Sequence, residues 1–270
     1  MANNLLKGKK GIIFGALDEN SIAWKVAIEA VDNGAEIILT NAPIALRMGS
    51  IEKLAVLCNC KVVPADATSI ADIEKLFTIA LHDFGKIDFI LHSIGMSLNV
   101  RKKRVYTDLN YDFLVKGLDV SAISFHKMLQ VAFKLDALNE FGSVLALSYI
   151  AAQRTFPDYN DMAENKSYLE SIARSFGYHY GKHKNVRINT ISQSPTFTTA
   201  GAGVKGFNAF FEYSNKISPM GNASAIDCAK YCITLFSDYT KMVTMQNLFH
   251  DGGFSKTGVS KDVIDLFDND

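Results

Sequence analysis

Short apolar, β-branched runs alternate with stretches of helical periodicity along the whole 270-residue chain, and this rhythm restricts the fold more than any single motif. Strands joined through helices pair in parallel, and a parallel sheet needs helices on both of its faces. The predicted strands are 11–14, 36–40, 61–64, 87–92, 143–148, 186–191 and 246–250. Helical periodicity covers 21–33, 45–57, 69–84, 120–135, 159–180 and 224–237, several of these stretches opening on Ser, Asp or Thr near the N-cap. No Pro/Ser-rich linker, low-complexity tract or internal repeat interrupts the series. The expectation is an α/β fold, a doubly wound parallel seven-stranded sheet in a single domain spanning 1–270. Right-handed crossovers then gather the loops that follow the strands along one edge, where ligands bind in such sheets.

Bulk properties exclude several classes. With 48% hydrophobic and 21% charged residues the chain can bury a large core. Its 28 basic and 28 acidic residues cancel, which argues against a surface that wraps nucleic acid. Lys7, Lys9 and Lys10 before an apolar run imitate an export signal, but Asp18 and Glu19 end that run after about seven residues. No run approaches the ~18 apolar residues of a membrane span. A cytoplasmic protein with no membrane partner is expected. Cys58 and Cys60 form one short-spaced pair. Cys228 and Cys232 sit at i, i+4 in an apolar helical pattern, where cysteine is a small core residue. His179 and His183 fall beside Lys182 and Lys184 and read as a solvated helix end, so no metal site is expected.

The first predicted strand runs into Gly15, and a helix follows at Ser21-Ile22-Ala23. The usual Gly-x-Gly-x-x-Gly dinucleotide fingerprint is absent. Gly15 can still supply the tight turn, and Ser21 with the N–H groups of Ile22 and Ala23 can bind pyrophosphate through unpaired donors and the helix dipole. The same residues also read as a capped strand-to-helix turn. Asp66-Ala67-Thr68 after strand three offers an acceptor for an adenine amino group, or a plain N-cap. His92-Ser93-Ile94-Gly95 after strand four provides a glycine where backbone can approach a nucleotide closely.

Seven positions separate Tyr159 from Lys166. On a continuous helix seven steps of about 100° would return both side chains to one face, with a rise of roughly 10.5 Å. The lysine could then hold one end of an extended cofactor while the phenol sat near the reacting end.

Taken together, Gly15 with Ser21-Ile22-Ala23, His92-Ser93-Ile94-Gly95, Leu147-Ser148-Tyr149, the stretch from Pro157 through Tyr159 to Lys166, Val186-Arg187-Ile188-Asn189, Ser218-Pro219 and Asp251-Gly252-Gly253-Phe254 resemble the NADH-dependent enoyl-acyl-carrier-protein reductases. These belong to the short-chain dehydrogenase/reductase superfamily, and the resemblance implies a Rossmann-type fold. Most members of that superfamily place Tyr-x3-Lys on the active helix with a serine thirteen residues before the tyrosine. Here the spacing is Tyr-x6-Lys, residue 146 is alanine, and Tyr149 precedes Tyr159 by ten residues, the enoyl-reductase pattern. The resemblance implies that Tyr159 hydrogen-bonds the thioester carbonyl oxygen as it becomes an enolate, that Lys166 holds the nicotinamide ribose hydroxyls, and that Tyr149 lines the same pocket. Met162 falls near this pair and reads either as substrate-binding or as core. The resemblance also implies NADH as cofactor, an acyl-carrier protein bearing the enoyl chain as partner, and a homotetramer.

The chain departs from the family after strand six, where Gln193-Ser194-Pro195 replaces the common Ala-Gly-Pro. By position Pro195 and Thr198 would meet the cofactor. Residues 196–218, with Gly201, Gly203 and Gly206 ahead of Phe207, Phe210, Phe211 and Tyr213, combine hinge-capable glycines with an apolar face and read as a substrate-binding lid or as a surface helix. Thr40-Asn41-Ala42-Pro43 ends strand two without an immediate base for a 2′-phosphate, which predicts NADH over NADPH, with Arg47 the nearest base that could reverse the preference. Arg101-Lys102-Lys103-Arg104 reads as a solvated loop or as a docking patch for an acidic carrier protein. Rival functions are a related reductase acting on a ketone or a coenzyme A thioester, and a nucleotide-binding regulator without turnover.

Overall fold

A computed structural model describes residues 4–199, 201 and 204–268. Seven parallel strands form one sheet: β1 (Lys10–Phe14), β2 (Glu36–Thr40), β3 (Lys61–Val62), β4 (Ile87–His92), β5 (Leu138–Ser148), β6 (Arg187–Gln193) and β7 (Asn247–His250). Their spatial order is β3-β2-β1-β4-β5-β6-β7. The chain steps outward from β1 to β3, then crosses back to place β4 against the other side of β1. This reversal puts the loops after β1 and β4 side by side, the switch point where ligands settle in open α/β sheets.

Because side chains alternate across a strand, each central strand feeds two cores. Ile12 and Phe14 of β1 pack with the helices α4 (Ile70–Phe84), α7 (Ser124–Lys134) and α8 (Met162–Lys184). Ile13, Leu39 and Leu91 pack on the opposite face with α1 (Ile22–Asp32), α3 (Ile51–Cys58) and α10 (Ala225–Phe236). Cys228 and Cys232 are buried on α10 within that second core. The remaining helices are α2 (Pro43–Met48), α5 (Leu98–Arg101), α6 (Tyr111–Leu118), α9 (Phe207–Ile217) and α11 (Lys261–Ile264). Among the described residues no helix is long and apolar enough to cross a membrane.

Three predicted helices take a different course from the one expected, each for a reason that periodicity does not carry. The helix expected over 45–57 is broken into α2 and α3 at Gly49. There the Leu17 carbonyl accepts from Ser50 N–H at 2.9 Å, and a Cβ on Gly49 would lie 2.3 Å from that oxygen. The helix expected over 120–135 begins earlier, at α6, and passes through a π turn at Asp119–Ile123 before α7. Ser121 in this turn accepts from Met96 N–H (2.9 Å) and donates to the Met96 carbonyl (3.0 Å), so the helix bulges toward the loop after β4.

The helix expected over 159–180 starts only at Met162 and runs to Lys184. Tyr159 lies outside it, in a 3-10 turn over Pro157–Tyr159, and Asn160 adopts a left-handed φ of 47° between turn and helix. Its ψ of −136° puts it outside the left-handed helical region, in a conformation that L side chains rarely adopt. The shared helical face proposed for Tyr159 and Lys166 therefore does not exist. Their relation is set by a turn.

Candidate active site

The glycine turn is built by two constraints at one residue. Gly15 has φ +93°, and a Cβ there would fall 2.0 Å from the Ser93 carbonyl oxygen. Only glycine permits both this backbone conformation and this approach. Gly15 N–H donates to the Thr40 carbonyl (3.0 Å) and Ser93 N–H to the Phe14 carbonyl (3.2 Å), so the ends of β1, β2 and β4 are stitched together. Ser21 caps α1, its Oγ accepting from Trp24 N–H at 3.4 Å and from Leu17 N–H at 3.4 Å, while donating to the Asp18 carbonyl at 2.8 Å. Ile22 and Ala23 occupy the first turn of α1, where backbone N–H groups lack partners within the helix.

Farther along the groove, a Cβ on Gly95 would come within 3.4 Å of Met162 Cε and 3.6 Å of Lys166 Nζ. Gly95, Met162 and Lys166 thus converge on one spot. Lys166 is buried, 7% exposed, and its Nζ donates to the Leu147 carbonyl at 2.7 Å. One helical turn on, buried Glu170 accepts from Ser148 Oγ (2.7 Å) and Gln153 Nε2 (3.2 Å). Burial lowers the Lys166 ammonium to about 8, against the opposing pull of Glu170. Near it His92 Nε2 meets Ser124 Oγ at 2.9 Å, and burial followed by repulsion from Lys166 lowers the imidazole to about 3, so it is neutral at physiological pH. Met162 turns its sulfur to Ser121 and Asn165 and its methyl group toward Gly95.

An aromatic cluster forms around Tyr149, two residues beyond the Leu147 carbonyl that holds Lys166. The rings of Tyr149 and Tyr159 are 5.0 Å apart, with Phe156 5.5 Å and Phe210 6.5 Å from Tyr149. Phe210 of α9 also meets Phe156 at 5.0 Å and Phe254 at 6.1 Å. Burial raises both phenols above the ordinary tyrosine value, Tyr149 being raised further by Tyr159. Both are neutral hydrogen-bond donors across the physiological range.

Not every predicted residue joins these groups. Phe207 packs with Phe197 (5.2 Å) and Phe211 (6.2 Å) rather than with the rings around Tyr149. Asp66 spends one carboxylate oxygen on Thr68, accepting from its N–H (2.9 Å) and Oγ1 (2.7 Å), beside buried Ala67. Ser93 and Ile94 line the loop after β4, and Pro195 is buried after β6. Thr198 Oγ1 accepts from Gly201 N–H at 3.0 Å, while Thr199 Oγ1 reaches across to Asp18 at 2.5 Å. Gly203 lies outside the described residues. Gln193 accepts from His250 Nδ1 at 2.7 Å and donates to the Ala223 carbonyl at 3.0 Å, a cross-tie between β6, β7 and the approach to α10. Sequence reasoning missed Phe156 and Phe254 in the aromatic cluster. It also missed Ser97, Asn99 and Asp161, whose polar side chains gave no pattern until the fold brought them together.

A parallel sheet with this switch point, a glycine-lined groove and a buried lysine defines a Rossmann-type dinucleotide-binding protein. Within that class the family is specific: a family model described as enoyl-(acyl carrier protein) reductase matches residues 15–255, and the chain belongs to that family. A Rhizobium meliloti protein named enoyl-acyl-carrier-protein reductase (NADH) 2 is 31% identical over 259 residues, covering 95% of both chains. The Rickettsia bellii enoyl-acyl-carrier-protein reductase (NADH) FabI is 31% identical over 263 residues, covering 97% of this chain and 99% of its own. The crystal structure of the FabI–NADH complex from Alistipes finegoldii superposes with a TM-score of 0.94 at 65% identity, covering 95% of this chain and 91% of that one.

The depressed Lys166 value predicts opposite pH trends for binding and stability. Above about pH 8 the free enzyme loses the Lys166 proton, so kcat/KM for NADH should fall, while Lys166→Arg should abolish that limb of the profile. Because the unfolded chain holds this proton to higher pH, the same titration should stabilise the fold as pH rises from about 8 toward the ordinary lysine value of about 10.4. A lysine held protonated throughout would leave kcat/KM for NADH level to pH 10.

Proposed function

We propose that this chain reduces the trans-2 double bond of enoyl thioesters held on an acyl-carrier protein, the last reductive step of type II fatty-acid elongation, with Tyr159 as the hydrogen-bond donor to the thioester carbonyl oxygen and Lys166 as the anchor for the nicotinamide ribose. NADH, when bound, supplies the hydride. The groove fits it: Gly15 and Gly95 lack the Cβ atoms that would intrude, the first turn of α1 offers free N–H groups to a pyrophosphate, and Lys166 provides a donor already held in place. Ser93, Ile94, Pro195 and Thr198 would contribute the remaining wall, and Asp66 with Ala67 the adenine end.

The observation that carries the reading is the pair of neutral phenols with rings 5.0 Å apart, Tyr149 standing two residues beyond the Leu147 carbonyl that accepts from Lys166 Nζ. Negative charge gathers on the carbonyl oxygen only as hydride reaches the β-carbon, so a fixed donor aimed there lowers the barrier more than it favours the ground state. Tyr149 packs against Tyr159 and restricts its ring, leaving the Tyr159 hydroxyl as the donor. Phe156, Phe210 and Phe254 give the acyl chain an apolar wall, and residues 196–218 act as the lid that closes over it. Met162 is a further substrate contact in this reading.

The enzyme works in the cytoplasm, a reading supported by four cysteines that are all free thiols. It assembles as a homotetramer, which the exposed Tyr111 and Val115 on one face of α6 support.

Tyr159→Phe should lower kcat by about 10- to 1000-fold, in the range of one oxyanion donor, with NADH affinity little changed. Lys166→Ala should weaken NADH binding together with rate. Unchanged turnover in the first variant, or unchanged NADH affinity in the second, contradicts the assigned role.

Arg101, Lys102 and Lys103 are exposed at the end of α5, on the ligand-binding edge, whereas Arg104 is paired with Asp108. We assign the exposed three, with exposed Lys205 near α9, to docking of the acidic carrier protein. The double substitution Lys102→Glu and Lys103→Glu should raise KM for the carrier-bound substrate severalfold, less so at high salt, and leave a small crotonyl thioester unaffected. Equal effects on both substrates would return the run to solvent.

A further inference from the structure

Asp161 follows Tyr159 by two residues and opens α8, yet its side chain does not cap the helix. It is 1% exposed, and its two oxygens are taken from outside: Ser97 Oγ donates to Oδ1 at 2.6 Å and Asn99 Nδ2 to Oδ2 at 2.9 Å. Both donors are themselves buried. Ser97 also caps α5 by accepting from Val100 N–H (3.0 Å). Asn99 is clamped by Asn110, whose carbonyl accepts from Nδ2 (3.1 Å) and whose N–H donates to Oδ1 (3.0 Å). Among the described residues Asp161 belongs to none of the ion pairs.

A carboxylate taken out of water without a counter-charge is costly, and its hydrogen bonds compensate only while their geometry holds. The arrangement is therefore stiff. It joins two segments that carry different halves of the site: the loop after β4, which begins with Ser93–Gly95, and the turn that presents Tyr159. The intervening residue tightens the same joint. Asn160, at φ 47°, donates from Nδ2 to the Arg104 carbonyl at 2.6 Å, and Tyr106 of the same loop donates to Glu164 of α8 at 2.5 Å.

We propose that Asp161, through Ser97 and Asn99, is a positioning residue that fixes the Tyr159 hydroxyl relative to the nicotinamide end of the groove. Asp161 touches no reacting atom and acts through the turn. Without its bridge the Tyr159 turn, held at an asparagine of positive φ, samples other orientations, and the donor is aligned with the substrate oxygen for a smaller fraction of the time. This inference rests on the role assigned to Tyr159.

The test is a double-mutant cycle between Asp161→Asn and Tyr159→Phe. The amide would keep the shape of the carboxylate but offer one acceptor oxygen in place of two, so one of the two donors loses its partner. In the otherwise native enzyme Asp161→Asn should lower kcat tenfold or more, change KM for NADH less than twofold, and enlarge the primary isotope effect measured with NADH deuterated at the transferred position. In the Tyr159→Phe background it should cost less than twofold further, because the aligned group is already gone. Ser97→Ala, run through the same cycle, gives a milder second variant should Asp161→Asn fold poorly. Equal losses in both backgrounds with an unchanged isotope effect would mean only a smaller folded fraction and would overturn the proposal, as would native turnover in Asp161→Asn. Native turnover in Tyr159→Phe alone would remove the role of Tyr159, and this inference with it; loss in Tyr159→Phe beside additive behaviour removes this inference only.

Discussion

Gly15 and the Ser93 carbonyl oxygen occupy space that any side chain on residue 15 would claim, since a Cβ there would lie 2.0 Å from that oxygen. The approach is possible because β1 and β4 are direct neighbours, and they are neighbours because the strand order reverses between them. Everything at the site inherits from this juncture. The loop after β4 can reach Lys166 through Gly95 and the Tyr159 turn through Ser97 and Asn99 only because its first residue is locked against β1. The two cores, one on each face of the sheet, hold that juncture rigid from both sides.

Electrostatics then divides the labour along the groove. Burial works in opposite senses on the two kinds of group: it makes the lysine easier to discharge and the phenols harder to ionise. The result at neutral pH is a cationic Lys166 and two neutral phenol donors. A phenol that keeps its proton can donate a hydrogen bond without surrendering it. His92, near the lysine, stays neutral for the same reason.

The fold is legible in the sequence because its signal is periodic and repeated. All seven strands lie where apolar β-branched runs fall, with ends shifted by a few residues, as at β5, which begins at Leu138 and passes a register shift before the expected stretch. Interruptions are legible only in part. Gly49 breaks a helix because a distant carbonyl, that of Leu17, needs Ser50, and nothing in the local pattern announces that partner. The sequence singles out Tyr159 and Lys166 as a pair, but helical periodicity misjudges how they meet: Asn160 turns the chain, and periodicity carries no information about a single residue of positive φ. Ser97, Asn99 and Asp161 lie too far apart in sequence, 62 and 64 residues between partners, for spacing to reveal a shared site.

The most direct test of the account is to follow NADH oxidation by the purified chain, through the absorbance of the reduced nicotinamide, with an enoyl thioester on its carrier protein and with the matching 3-ketoacyl thioester. The account predicts steady oxidation with the enoyl substrate and none with the ketone. Oxidation with the ketone, or NADH bound and left unoxidised with both, would contradict it.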